Sequence, residues 1–425
     1  MQNSGIEWIG EIPKEWTINS ISQLFSQVKN KNTDLQETNL LSLSYGKIKR
    51  KNIETTDGLL PESFDGYNIV ESNDIVLRLT DLQNDHKSLR VGLVTERGII
   101  TSAYLTIRNH SESIAKYLYF YLHAFDISKG FYGMGAGVRQ GLNWDGIKWL
   151  KILSPSIPEQ QAIADFLDTQ CTYIDSVIEK TRAAIEEYKK LKQSVITQAV
   201  TKGIRPNREM KDSGIEWIGE IPKKWICTIM KRFCRFQTGS TPSTNNPQWF
   251  DGNLDWFTPS DFNEKCFLSN SIRKLSKKAK EDGVATLIEP NTVMIIGIGG
   301  TAGKIGFTTS ECSCNQQITA VKPNNELLSK YLMYWMISNT KILKDTALYT
   351  TLPIINNQTI GEFLLIMPET ISEQSEIVAY LDEKTAAIDS LVQKKQQLIT
   401  ELEAYKKSLI YEYVTGKKEV PVHAH

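Results

Sequence analysis

Ser4–Trp16 reads SGIEWIGEIPKEW and Ser213–Trp225 reads SGIEWIGEIPKKW, so one segment recurs at a spacing of 209 residues with a single difference, Glu15 against Lys224. A match of this length between distant parts of one chain marks an internal repeat, and a repeat sets the architecture before any single element is assigned. Further matches follow at a spacing of 214: Glu159-Gln160 with Glu373-Gln374, Leu167-Asp168 with Leu381-Asp382, Ile174-Asp175 with Ile388-Asp389, and Val200-Thr201 with Val414-Thr415. Lys116-Tyr117-Leu118 already matches Lys330-Tyr331-Leu332 at 214, so the five extra residues of the second half enter early. What lies between is mostly unlike. The chain is an opening segment, a variable domain and a long helix, then the same frame again around different content.

The helices follow from missing breakers. Glu159 to about Thr201 holds no proline or glycine, Ser156-Ile157-Pro158-Glu159 offers a capping serine and an acidic first turn, and Gly203 and Pro206 end the run. The second helix starts near Ser372-Glu373 after Pro368 and stops at Thr415-Gly416. Seven-residue steps predict a coiled-coil stripe of Leu167, Ile174, Tyr188 and Val195 with Leu191 beside it, and of Leu381, Ile388, Leu402 and Leu409 with Leu391 and Leu398 beside it. Thr181 and Lys395 form an equivalent polar break in each stripe. At ~1.5 Å per residue each helix makes a rod of roughly 60 Å. The alternative is a helical hairpin inside one domain, but the charged residues around the stripe (Glu179, Lys180, Glu186, Glu187) favour an exposed rod.

Two similar halves most simply take a pseudo-two-fold arrangement with antiparallel helices. The expected fold class is therefore mixed α/β (α+β): two globular domains separated by an antiparallel coiled coil. Expected boundaries are 1–158 for the first domain, 159–203 for its helix, 204–212 for a linker, 213–370 for the second domain, 371–416 for its helix and 417–425 for a tail.

Composition bounds the function. The 425 residues carry 49 Lys plus Arg and 49 Asp plus Glu, a formal charge of zero, so any contact with nucleic acid must come from a local face. The longest apolar runs, such as Val293 to Ile296 and Phe363 to Met367, are too short to span a bilayer, and a cytoplasmic location is expected. The six cysteines form no C-x-x-C pair, and reduced, partly buried thiols are expected rather than a metal site.

In the first variable domain, candidates for DNA contact are Lys47, Lys49, Arg50, Arg78, Lys87, Arg90, Arg139 and Gln140, with Lys47–Lys51 (KIKRK) patterned as an exposed strand edge. A solvated charged face is the competing reading. In the second, Ser240, Thr241 and Ser243 could donate to phosphate and Gln316-Gln317 could read adenine edges bidentately. Turn and strand roles compete there, and Trp249, Phe250 and Trp256 read as core or as stacking platforms.

Gly297-Ile298-Gly299-Gly300-Thr301-Ala302 fits G-x-G-x-x-A after an apolar strand, yet Lys304–Thr309 continues strand-like, with no helix to bind a pyrophosphate, so a hairpin turn is expected. Gly303-Lys304 lacks the first glycine and the Ser/Thr of a phosphate loop, and Asn246-Pro247-Gln248-Trp249 has Gln248 where an adenine methyltransferase motif needs proline. Glu187-Tyr188-Lys189 lies on the long helix and makes no nuclease site.

This layout resembles the specificity subunits of type I restriction-modification systems over nearly the full length. Gly239-Ser240-Thr241-Pro242, Trp249-Phe250-Asp251-Gly252, Trp256, Asp261, Gly303-Lys304 and Asn315-Gln316-Gln317 carry the resemblance in the second domain, which the first matches poorly. The resemblance implies two target-recognition domains that each read one part of a split, asymmetric site on double-stranded DNA, and adds Lys304 to the DNA-contact candidates. It implies two adenine-methylating subunits recruited along the helices, with restriction translocase subunits joining them. It implies no catalysis and no cofactor in this chain, with S-adenosylmethionine, ATP and magnesium on the partners. Two other hypotheses are a self-sufficient methyltransferase using the Gly297 loop and a two-domain adaptor without DNA affinity.

Overall fold

The structure is a computed structural model that describes residues 1–52, 63–134, 141–263, 266–349 and 352–421. It forms two compact units, Met1–Arg182 with Gln396–His425, and Ala183–Lys395. Each long helix, Ile157–Lys202 and Ile371–Val414, is therefore divided between the units.

The first unit is built on strands Phe25–Gln27 (β1), Ile75–Leu77 (β2), Val91–Leu93 (β3) and Leu105–Asn109 (β4), hydrogen-bonded in the order β1-β4-β2-β3 and antiparallel throughout. The second uses Cys234–Thr238 (β5), Phe267–Leu268 (β6), Thr292–Ile296 (β7), Ile305–Thr308 (β8) and Ile318–Pro323 (β9) in the order β5-β9-β7-β8-β6. The first four strands of that order repeat the first unit's sheet, and the parallel strand β6 is the addition. One helix packs on each sheet, Ala115–Ile127 in the first unit and Ser329–Ser338 in the second, with Tyr117 and Tyr331 fully buried at equivalent places. The molecule is mixed α/β, built twice on one plan.

The repeated segment folds the same way each time because its glycines meet the same demand. Gly5 and Gly10, and Gly214 and Gly219, all have positive φ, where any side chain would be strained. Ser4 N donates to Gly10 O at 2.9 Å and Ser213 N to Gly219 O at 3.0 Å, closing the same loop. The tryptophan that ends each copy, Trp16 or Trp225, is buried and donates from its indole nitrogen to Glu159 or Glu373, at 3.1 Å in both. Gln160 and Gln374 repeat the pattern, each accepting the backbone N–H that precedes the domain helix, from Ile114 at 2.9 Å and from Leu328 at 2.8 Å.

Within each unit the long-helix segments run antiparallel. In the first, the Phe166 ring packs tilted against Tyr413, Asp175 pairs with Lys406 and Arg182 with Glu403. In the second, Tyr188 faces Lys395 and Lys192 pairs with Asp389. The pairs Asp175–Lys406 at 2.6 Å and Asp389–Lys192 at 2.7 Å are each other's equivalents under the 214-residue repeat. Burial raises the Asp175 carboxyl, but hydrogen bonds from Lys406 and Lys47 outweigh it and hold the group below the usual carboxylate range.

The predicted seam needs one correction. Leu167, Ile174, Leu381, Ile388 and Leu409 are buried, and Tyr188, Val195 and Leu402 are half-buried, but Leu191, Leu391 and Leu398 are 41% to 49% exposed. The companion row is instead Cys171, Ile178 and Ile185 on the first helix, and Thr385, Ile399 and Tyr413 on the second. Apolar residues flank the main seam on both sides, and a seven-residue period cannot choose between flanks; the direction of approach of the partner helix does. The polar breaks also diverge. Thr181 Oγ1 donates to Val177 O of its own helix at 2.7 Å, whereas the Lys395 ammonium lies over the Tyr188 ring.

Candidate nucleic-acid interface

In each unit two neighbouring antiparallel strands of the sheet are joined by an irregular loop, residues 78–90 between β2 and β3 and residues 297–304 between β7 and β8. The second is the expected hairpin turn: Ile296 N donates to Lys304 O at 3.0 Å and Gly303 N to Ile296 O at 2.8 Å, so the Gly297 loop opens no phosphate-binding helix. Both loops are clamped by the same later segment. Leu142 N donates to Leu79 O at 2.9 Å and Ile355 N to Gly297 O at 2.7 Å. Each clamp runs straight into a short helix capped by asparagine, Asn143 accepting from Gly146 N and Asn356 from Thr359 N. The units thus present one equivalent surface, built from the variable loops and supported by the repeated frame.

Arg90, a DNA-contact candidate from the sequence, has another task. It is fully buried, and its guanidinium donates to the carbonyls of Arg78 at 3.0 Å and Thr80 at 2.8 Å, to those of Asp81 and Asp85, and to the Tyr132 hydroxyl at 3.0 Å. Its donors are consumed in shaping the 78–90 loop, so no phosphate can reach it. Only a folded loop reveals this, since a buried and an exposed arginine read alike in a sequence.

Several other basic candidates are neutralised. Lys47 pairs with Asp175 at 2.8 Å, Arg50 with Glu96 and Arg78 with Asp85 at 3.6 Å. Lys49 and Lys87 are exposed, and among the described residues no carboxylate pairs with either. Arg139 and Gln140 lie outside the described residues.

In the second unit Ser240 is structural: its hydroxyl donates to Val284 O and accepts from Thr286 N, both at 2.9 Å. Ser243 is exposed, and Lys304 is half-buried with its ammonium 3.5 Å from Phe262 O. Thr241 and Gln316 are brought together by a hydrogen bond from the threonine hydroxyl to the glutamine carbonyl. The aromatics belong to a small core: Trp256 is buried, Trp249 packs beside it and bonds Asp282, and the Arg273 guanidinium lies over Phe250 and Trp256.

Gln316 and Gln317 line a cleft together with Gly297 and Asn356-Asn357-Gln358. The equivalent cleft of the first unit is lined by Thr80, Asp81, Asn84 and Gly141. Sequence reasoning missed Asp81, Asn84 and the Asn356–Gln358 run; the crowding of three carboxamides at 356–358 was the available signal.

No described helix is long and apolar enough to cross a membrane, and among the described residues no cluster of histidine, cysteine or acidic side chains could hold a metal ion.

Comparison with known proteins agrees with this layout. A type I restriction enzyme specificity subunit of Methanocaldococcus jannaschii, MjaIX, is 28% identical over 184 residues, which is 42% of this chain and 41% of that protein. The MjaVIII specificity subunit of the same organism is 22% identical over 427 residues, covering 96% of this chain and 94% of that one. Among solved structures, a chain from "Structural basis underlying complex assembly and conformational transition of the type I R-M system" superposes with a TM-score of 0.72 at 15% identity, over 96% of this chain and all of that one. The family described as "Type I restriction modification DNA specificity domain" matches twice, at residues 13–187 and 222–401, once for each copy of the repeated frame. Matched over more than half of its length, the chain belongs to the type I restriction modification DNA specificity family.

Proposed function

We propose that this chain is the specificity subunit of a type I restriction-modification complex, reading a split, asymmetric site on double-stranded DNA without catalysis of its own. The observation that carries this reading is one sheet-and-helix frame built twice and fitted with different loops at the same place. Equivalent frames serve one assembly, and unlike loops read unlike sequences. Each unit would contact one half-site, with exposed cations such as Lys49 and Lys87 meeting phosphate and polar loop side chains meeting base edges.

Leu191, Leu391 and Leu398 leave apolar surface open on the long helices, where two adenine-methylating subunits would dock, and restriction translocase subunits would join that complex. S-adenosylmethionine, ATP and magnesium would be held by those partners, and the complex would work in the cytoplasm. The test is to map N6-methyladenine across the genome of a host carrying this chain with a type I methylation subunit, beside a control lacking only this chain. A split, asymmetric motif present only with this chain supports the reading. No new motif despite a purified complex rejects it.

A further inference from the structure

We propose, resting on the specificity reading above, that the two equivalent loop clefts read bases with opposite hydrogen-bond polarity: the first unit accepts from a base through Asp81, and the second donates to a base through Gln316 and Gln317.

In the second unit the carboxamides are oriented by bonds to their oxygens. Gln316 Oε1 accepts from Thr241, and Gln317 Oε1 accepts from Asn315 Nδ2 at 2.9 Å. Asn357 Oδ1 accepts from Thr319 at 2.9 Å, so it too is occupied. Among the described residues neither glutamine Nε2 donates to another protein atom, which leaves two N–H2 groups at the cleft, Gln316 exposed and Gln317 half-buried. Guanine presents two acceptors, O6 and N7, side by side in the major groove, and is the base such a donor pair fits.

In the first unit the cleft carries a carboxylate. Asp81 sits at φ +56°, a left-handed conformation, on the loop whose carbonyls Arg90 gathers. Asn84 Nδ2 donates to Asp81 Oδ1 at 2.8 Å, fixing the carboxylate of a residue that lines the cleft, and among the described residues no donor bonds its Oδ2. A carboxylate repels guanine O6 and N7 and accepts from the cytosine N4 amino group. The buried Arg90 thus becomes a positioning residue: it holds the loop that presents Asp81.

The test uses the full chain co-expressed with a type I methylation subunit, comparing the parent with Asp81→Asn, Gln316→Glu and Gln317→Glu. Purified complexes compete for duplexes that carry each base pair at every position of the parent's methylated motif. Each substitution is expected to weaken binding to the parent motif by about 5- to 150-fold. It should relax or change preference at one G·C pair, in one half of the motif for Asp81→Asn and in the other half for the glutamine variants. Since each variant leaves the other unit untouched, retained selectivity in the other half reports folding and assembly. Unchanged preference in both halves, a change in the wrong half, or a uniform loss of binding to every duplex overturns the proposal. A parent that yields no split motif overturns the specificity reading instead.

Discussion

The Trp16 indole N–H donates to a Glu159 carboxylate oxygen at 3.1 Å, tying the opening segment to the first turn of the long helix across 143 residues of variable chain. Trp225 and Glu373 make the same bond at the same length, where Glu373 also accepts from Arg208. Burial raises the Glu373 carboxyl, but the Arg208 and Trp225 bonds outweigh it and keep the group below its ordinary value. Glu159→Ala is expected to cost about 1 to 3 kcal/mol by leaving the indole donor unmet, and Glu159→Gln clearly less because an acceptor remains. Glu373→Ala should cost more than Glu159→Ala, since two donors lose their acceptor. Urea unfolding of the three variants checks the order.

The two interhelical ion pairs should differ in strength although the repeat makes them equivalent. The Asp175 side chain is 29% exposed and that of Asp389 59% exposed, so solvent screens the second more. Double-mutant cycles are expected to give a coupling of about 1 kcal/mol for Asp175–Lys406 and about 0.5 kcal/mol or less for Lys192–Asp389, both falling as salt rises. Equal couplings would contradict the screening argument.

Arg90 and the exposed lysines should separate cleanly. Arg90→Met removes the donors to four loop carbonyls and is expected to destabilise the protein by on the order of 3 kcal/mol, with faster amide exchange across residues 78–90. Lys49→Ala and Lys87→Ala should leave the unfolding midpoint unchanged, while each lowers the salt slope of DNA binding by ~0.9 if it meets a phosphate. Unfolding curves and binding titrations at several salt concentrations measure both effects.

On the helix Ala115–Ile127 two buried groups impose opposite pH dependences. Burial pushes the Asp126 carboxyl up to about 6, against the hydrogen bond from Arg90 N. The folded state then holds that proton more tightly than the unfolded chain, so stability is present below about pH 4 and is lost as pH rises through about 6. His123 behaves inversely: burial, helped by Lys406, pushes its imidazole down to about 4, and stability is lost as pH falls below its ordinary 6.5. Asp126→Asn is expected to stabilise the protein above pH 6 by on the order of 2 kcal/mol and to uncover the histidine slope between pH 6.5 and 4. Chemical unfolding across pH 4 to 8 measures it.

The doubled plan was legible in the order of the residues. Paired segments at fixed spacings and two breaker-free helical runs required a doubled frame, because a repeated segment meets the same local demands twice: left-handed glycines at 5 and 214, and a tryptophan held by the same glutamate at 16 and 225. Folding selected which flank of each helix is buried, sending Ile178 and Ile399 inward and Leu191 and Leu398 outward, since that depends on the partner's direction of approach rather than on period. It also decided which charges are spent within the chain. Arg90 is consumed by carbonyls that converge only when its loop closes, and Lys47 meets Asp175 across 128 residues, while Asp81 and the amides at 356–358 reach their clefts only through strand pairing. Local sequence encodes local geometry; the availability of a side chain to a ligand is set by neighbours that the chain brings from far away.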